Sequence, residues 1–400
     1  GQLLTEDYYV ANKLMKGFIG SANIDTNSRL CMSSAVAAHN RAFGEDVVPC
    51  SYSDLEEADL ILLVGSNTAW CHPVIWQRIE QAREQRGTKL VVIDPRRTET
   101  AECADLHLPI RPDGDIALFM GLLATMRHRG VLDQAYLDAH VSVPEGFWEG
   151  FCCCDVTGET GLEPDLLAEF FTLFEENPRT VTLFSQGSNQ SACGTDKGNA
   201  IINLHLATGR IGKPGMGPFS ITGQPNAMGG REVGGLANML AAHMNFSVEE
   251  CAAAQEFWAS PTIARQPGLK AVDLFRAVHK GRIKALWIMA TNPAVSMPDA
   301  GFVREALAQC DFVVVSDMIA DTDTARFADV RLPALGWGEK DGMVTNSERM
   351  VSRQRALFPA PGEARADWEI VCDVAGRMGF GEAFAFDGPA TREALEFYLQ

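Results

Sequence analysis

Four hundred residues with 46% hydrophobic and 22% charged side chains describe a globular chain with room for two or three domains. A formal net charge of -18 argues against nucleic acid as a partner, since phosphate binding needs a basic surface, and it obliges any anionic ligand to find a local cluster of arginine or lysine. No apolar run exceeds strand length, Leu60 to Val64 and Leu286 to Ala290 included, so none approaches the roughly twenty residues of a membrane span. Eleven cysteines is an odd number without repeated spacing, and no CxxC pair occurs. Neither a disulfide framework nor a zinc or iron–sulfur motif is therefore expected within these residues, and the compartment is expected to be reducing and cytoplasmic. The adjacent Cys152, Cys153 and Cys154 do not chelate one ion together in good geometry. Gly1 opens directly on a helical pattern, which points to a piece of something longer.

In chain order, Thr5 with Glu6 and Asp7 starts a helix, and Tyr8, Ala11, Leu14, Met15 and Phe18 recur at helical spacing until Gly17 to Gly20. Cys31 follows in a run of small hydroxyl and amide residues beside Arg29, surroundings that favour a thiolate. It reads as a metal ligand or nucleophile, with a small buried hydrophobe as the other reading. From Asp54 the pattern alternates between β and α. Leu60 to Val64 is a buried strand, Gly65-Ser66-Asn67 a turn, Pro73 the first residue of a helix ending near Gly87, and Lys89 to Ile93 the next strand, closed by Asp94-Pro95-Arg96. Leu106 to Ile110 predicts a short strand and Asp115 to Arg129 a helix. After a less legible stretch, Val181 to Phe184 predicts a strand, Gln186-Gly187-Ser188-Asn189-Gln190 a turn, and Asp196 to Thr208 a helix. Gly212 to Gly235 reads as an extended loop and domain crossing, and strand-turn-helix-strand resumes from Ala285 to Ser316.

A weak internal duplication is the most informative feature. Asn67-x-Ala69-x-x-x-Pro73 after one buried strand matches Asn292-x-Ala294-x-x-x-Pro298 after another. The segment Thr98 to Pro109 reads against Thr322 to Pro333, with Thr, Thr, Ala, Ala, Asp, Leu and Pro recurring in place. Each copy supplies a small-residue turn at a strand end before a helix start, where backbone N–H groups can receive a phosphate. Each following strand ends in an acid, Asp94 or the pair Ser316-Asp317, where an α/β sheet receives ribose or base. Two nucleotide-bearing ligands, one pseudosymmetric cofactor pair, or a bare scaffold all fit such a duplication. His72, beside the first turn, fits either a cofactor contact or a filler of the sheet edge.

Taken in order, Cys31, Gly65-Ser66-Asn67 with His72-Pro73, Asp94-Pro95-Arg96, Gln186 to Gln190, Thr291-Asn292-Pro293 and Ser316-Asp317 resemble the molybdopterin oxidoreductases of the dimethyl sulfoxide reductase superfamily. The resemblance covers essentially the whole chain. Within that superfamily, Asn23 to Val36, Gly223 to Glu232, Trp337 to Gly342 and Asn346 to Arg349 resemble the catalytic subunit of assimilatory nitrate reductase.

The fold this resemblance implies is two pseudo-repeated, dinucleotide-binding-like α/β domains with mainly parallel sheets, within a larger four-domain enzyme. Residues 26–223 would form the first, residues 1–25 with 224–335 the second, and residues 336–400 the start of a further domain. The implied cofactor is a molybdenum bis(molybdopterin guanine dinucleotide), with Cys31 as the protein ligand to the metal. By match to the family's motifs, Gly65, Ser66, Asn67, His72, Asp94, Pro95, Arg96, Thr98, Asp113 and Asp115 would contact one dinucleotide. Asn292, Ser316, Asp317, Lys340 and Asp367 would contact the other, with Gln186, Gly187 and Gln190 approaching the pterins. The implied reaction is reduction of nitrate to nitrite by oxygen atom transfer, with Arg231 accepting the oxyanion and Met32 lining the pocket. A [4Fe-4S] cluster in an N-terminal domain and a C-terminal domain would complete such an enzyme, and cofactor retention and turnover would depend on them. Electrons would come from an NADH-linked flavoprotein subunit, a ferredoxin or a flavodoxin. Another molybdopterin oxidoreductase, such as a formate dehydrogenase, and a noncatalytic electron-transfer scaffold of the same fold are the competing readings. Met32, where formate dehydrogenases carry histidine, speaks against the first, and an intact Cys31 motif against the second.

Overall fold

In the computed structural model, which describes residues 2–149, 155–386, 388, 393, 394 and 396, the chain divides into two units. One is Leu30–Gly223, and the other joins Gly1–Arg29 to Gln224–Gln400. Cys152, Cys153 and Cys154 lie outside the described residues. Among the described residues, no helix is long and apolar enough to cross a membrane.

The unit Leu30–Gly223 is built on a parallel sheet. Its strands are β1 (Leu60–Val64), β2 (Lys89–Ile93), β3 (Leu106–Leu108), β4 (Thr180–Phe184) and β5 (Gly217–Ser220), in the spatial order β3-β2-β1-β4-β5. β1 pairs in register with β2, from Leu60 on Lys89 to Val64 on Ile93, and with β4, from Leu60 on Thr180 to Val64 on Phe184. Every residue of β1 is buried, as an apolar run covered on both faces requires. Leu60, Leu62 and Val64 join Phe119, Leu122, Phe170, Phe174 and Ile201 in one core. The crossover helix Pro73–Arg86 starts with proline at its first turn and stops at Gly87, whose φ of 74° ends the helix in the left-handed region.

From β1 the chain steps outward to β2 and β3, then returns to the opposite side of β1 as β4. Strand order therefore reverses between β1 and β4. The crevice outside their carboxyl ends is where such sheets receive ligands.

One sequence expectation is corrected here. Gly212 to Gly235 is not an uninterrupted loop, because it contains β5 and the helix Ala227–Glu232. β5 carries Pro218, which has no N–H to donate, and it survives as the edge strand beside β4.

The other unit has a parallel sheet β6-β7-β8, formed by Ala285–Met289, Phe312–Asp317 and Val330–Pro333, and an antiparallel pair β9 (Gly342–Thr345) and β10 (Val351–Gln354). The helix Thr5–Asn12 continues as a π-helical segment Lys13–Ile19. It delivers Tyr9, Val10, Leu14 and Phe18 to a core with Leu240, Trp258 and Val371. Its polar residues are buried too. Glu6 accepts from Met343 N at 3.0 Å, and Lys16 Nζ donates to the carbonyls of Gly234 at 2.7 Å and Leu236 at 3.1 Å.

The duplication has a three-dimensional counterpart inside each unit. Thr100 Oγ1 donates to Asn67 Oδ1 at 2.7 Å and accepts from Ala69 N at 3.0 Å; Thr324 Oγ1 donates to Asn292 Oδ1 at 2.7 Å and accepts from Ala294 N at 3.1 Å. Asp105 accepts from Leu90 N at 2.7 Å, and Asp329 from Val313 N at 2.7 Å. Asp94 accepts from Arg96 N at 2.8 Å, and Asp317 from Ile319 N at 3.0 Å. The recurring letters thus encode one turn architecture, made twice.

Candidate functional site

Cys31 closes the one-turn helix Ser28–Cys31, with the helix Ser33–Phe43 beginning just beyond it. Three side-chain bonds fasten this stretch to the turn after β4. Gln186 Nε2 donates to Cys31 Sγ at 2.9 Å, Gln190 Nε2 to the Leu30 carbonyl at 3.2 Å, and Ser34 Oγ to the Asn189 carbonyl at 2.8 Å. The thiol is half-buried. Met32 is buried in the core alongside β1, so its side chain serves packing in this unit.

The two turns at the strand reversal touch through their backbones. Gly187 N donates to the Gly65 carbonyl at 3.0 Å. A Cβ on Gly187 would lie 2.5 Å from Gly65 Cα, and one on Gly65 would lie 2.6 Å from Gly187 Cα at a φ of 55°. Only glycine fits either place. The result is a narrow backbone-to-backbone notch, filled by the two glycines themselves, beside the Cys31 stretch. Ser188 Oγ and both amide atoms of Asn189 are buried next to it without a hydrogen-bond partner.

Further along the same sheet edge, Asn67 is engaged with Thr100 and Thr98 caps the helix Glu99–Glu102, so the β1 turn offers a ligand mainly its backbone. Ser66 Oγ shares a bond with Thr68 Oγ1 at 2.9 Å, and Pro95 and Arg96 follow Asp94 on an exposed loop. His72 is buried beside Thr222 and Gly223; burial lowers its pKa against an opposing contact from the Thr222 backbone. Asp113 and Asp115 converge on one ammonium, Lys197, at 2.8 Å each. The lysine's bonds hold Asp113 below the usual carboxylate range, with Ser191 assisting.

In the other unit, a small pocket opens at the carboxyl ends of its parallel strands. Ala290, Met318 and Ala334 line it from just beyond β6, β7 and β8, together with Trp337, Lys340 and Asp367. Lys340 Nζ binds Asp367 Oδ2 and lies 3.5 Å from Asp7 Oδ2. Two carboxylates facing one buried ammonium do not both ionise easily, and burial pushes Asp7 up to about 7. Asp367 Oδ1 is buried without a partner. Ser316, fully buried, accepts from Trp287 Nε1 at 2.7 Å, and Asn292 is tied to Thr324. Arg231 lies in the helix Ala227–Glu232, buried, with Nη1 3.1 Å from Met228 Sδ. Next to it, Glu232 is paired with His243 at 2.6 Å and Arg349 at 2.8 Å. Burial raises this carboxyl, and the two partners outweigh burial and hold it low.

These residues suit a pterin dinucleotide and its metal. The orphaned atoms of Ser188, Asn189 and Asp367 each leave roughly 1–3 kcal/mol of hydrogen bonding unmet, which a ring with N–H and carbonyl groups would supply. Among the described residues no three His, Cys, Asp or Glu side chains converge as a metal site. A metal at Cys31 therefore brings most of its ligands with it, as a dithiolene complex does.

The structure brings Gln186 and Gln190 to the Cys31 stretch, Gly187 to Gly65, and Asp113 with Asp115 to one lysine, residues that sequence reading assigned separately to the metal, the pterins and one dinucleotide. That reading missed Lys197 and Asp7, which complete the two aspartate–lysine bridges. The one signal for Lys197 was a cation in a helix first turn, where acids are favoured.

Comparison with known proteins agrees with this geometry. The family model described as Molybdopterin oxidoreductase matches residues 1–377. A nitrate reductase of Klebsiella oxytoca is 58% identical over 390 residues, covering 97% of this chain and 45% of that protein. One from Shewanella frigidimarina (strain NCIMB 400) is 54% identical over 399 residues, covering 98% and 42%. The chain thus spans about half the length of the curated relatives it matches. The solved structure of acetylene hydratase from Pelobacter acetylenicus superposes with a TM-score of 0.72 at 19% identity, covering 98% of this chain and 56% of that one, and so shares the fold. A thiol at a parallel-sheet strand reversal, duplicated nucleotide-type turns and a family match along nearly the whole sequence place the chain in the molybdopterin oxidoreductase family.

Proposed function

We propose that this chain is the cofactor-binding body of a nitrate reductase that converts nitrate, two electrons and two protons into nitrite and water. The observation that carries the reading is Cys31 at the reversal between β1 and β4, held by Gln186 beside the Gly65–Gly187 notch. The proteins similar over nearly the full chain support nitrate as substrate, being named nitrate reductases. When bound, a molybdenum bis(molybdopterin guanine dinucleotide) would supply two-electron, oxygen-atom-transfer chemistry.

The chain's own residues bind and orient. Cys31 Sγ is the protein ligand to the metal, and Gln186 fixes its direction. The β1 turn beyond Gly65 faces one dinucleotide, whose donors Asp113 and Asp115 accept. Lys340 and Asp367 hold the other in the cavity of the second unit, with Ser316 and Asp317 at its sheet edge. Arg231 receives nitrate, since a planar guanidinium matches a trigonal oxyanion and supplies the local cation that a chain of charge -18 requires. Outside this stretch, a [4Fe-4S] domain passes electrons from a flavoprotein subunit, ferredoxin or flavodoxin.

Molybdenum and acid-released GMP per chain, measured on the full-length enzyme and its Cys31→Ser variant, test this. About two GMP per molybdenum in the wild type, with nitrite formation abolished in the variant, is the expected result. A folded wild type carrying neither molybdenum nor GMP would overturn it.

A further inference from the structure

Lys197 belongs to none of the motifs displayed by the sequence, yet it is one of the most enclosed charges of its unit, at 2% exposure. It sits in the first turn of the helix Gly194–Ala207, where a cation opposes the helix dipole. Burial pulls its ammonium toward neutrality, and the bonds to Asp113 and Asp115 more than reverse that pull. Asp113 needs such an anchor. It holds a left-handed φ of 68°, rare for a residue with a side chain, and its side chain is 66% exposed. Lys197 Nζ at 2.8 Å and Ser191 Oγ at 2.8 Å both reach Asp113 Oδ1. Oδ2 is left as an acceptor at the sheet rim. Ser191 directly follows Gln190, so the rim is continuous with the turn that grips Cys31.

The other unit has the same device. Lys340 lies between Asp367, with which it lines a small pocket, and the fully buried Asp7. The two lysines come from positions that the duplication does not relate, so copying does not explain the likeness. A shared ligand chemistry does. A dinucleotide presents N–H and O–H donors, which carboxylates accept, beside phosphates, which carboxylates repel; an ammonium between two aspartates halves their charge while keeping both as acceptors.

We propose that Lys197 is a positioning residue for the dinucleotide bound by the unit Leu30–Gly223: it fixes Asp113 and Asp115 as acceptors and offsets their repulsion of the ligand's phosphates. This rests on the pterin dinucleotide reading above.

GMP and molybdenum per chain, with the thermal midpoint, are measured on full-length wild type, Lys197→Met, Lys197→Arg, Asp113→Asn and Lys197→Met combined with Asp113→Asn. The expected result is a fall from about two GMP to about one in Lys197→Met, recovery in Lys197→Arg, and no further fall in the double variant because both residues act through one contact. Should Lys197→Met not fold, Lys197→Gln, which keeps amide donors near both carboxylates and removes the charge, carries the same comparison. A folded Lys197→Met or Lys197→Gln protein retaining about two GMP would overturn the inference while leaving the cofactor reading intact. A wild type without GMP overturns that reading instead.

Discussion

Gly187 is the residue on which the notch most plainly turns. A methyl group there would lie 2.5 Å from Gly65 Cα, with backbone on the other side that has no room to yield. Gly187→Ala is expected to destabilise the unit by about 1–3 kcal/mol and to lower GMP content, read by thermal melts and nucleotide release. Asp7 makes a prediction in pH. Its carboxyl is pushed up to about 7 in the folded chain, against about 4 when unfolded, so the stability it confers is complete below pH 4 and is lost as pH rises toward 7. The difference in thermal midpoint between wild type and Asp7→Asn should therefore shift against the wild type across that window and stay level above it. The asparagine keeps one accepting oxygen, so one of the two bonds from Leu4 N and Trp368 N is lost, which adds an offset that does not vary with pH. Arg349→Met removes the guanidinium that pairs with the buried Glu232 carboxylate and leaves the His243 contact, at an expected cost of about 1.5–3 kcal/mol measurable by denaturant unfolding.

At the scale of elements, the duplicated turn is the feature that sequence reading resolved best. Asparagine, threonine and aspartate recur there because each makes a bond whose partner lies at nearly the same separation in both copies, 33 and 32 positions for threonine to asparagine and 15 and 16 for aspartate, so the letters repeat in step. The same bonds change how the motif is understood. Asn67 and Asn292 spend their carbonyl oxygens on Thr100 and Thr324, so they shape a cradle rather than chiefly filling it. Thr100→Val and Thr324→Val should consequently destabilise by similar amounts, about 1–2 kcal/mol each, in denaturant titrations. β5 was not legible, since glycine and proline in Gly217-Pro218 signal a loop locally and only pairing with β4 makes a strand of them.

For the whole molecule, the decisive feature is a unit assembled from two separate stretches of chain. Tyr9, Val10, Leu14 and Phe18 fill a core whose other walls come from beyond Gln224, and Asn12 Nδ2 donates to the carbonyls of Val233 at 3.0 Å and Leu240 at 3.1 Å. Residues 224–400 without 1–29 would expose that core and leave those carbonyls unmet, whereas residues 30–223 hold their sheet and core in one continuous stretch. Residues 30–223 alone should give a cooperative melt, and residues 224–400 alone should not, as followed by circular dichroism.

By itself the sequence determined the alternation of strand and helix, the repeated turns, the thiol set among polar neighbours and the family, because all of these depend on periodicity and on letters that recur in a fixed order along the chain. The tertiary structure decided what lies across the chain. It brought Gln186 to Cys31, backbone against backbone at Gly65 and Gly187, and a lysine between two aspartates in each unit. Those partners are separated by between 27 and more than three hundred positions, and no local propensity encodes a distance that only the order of strands in a sheet can set.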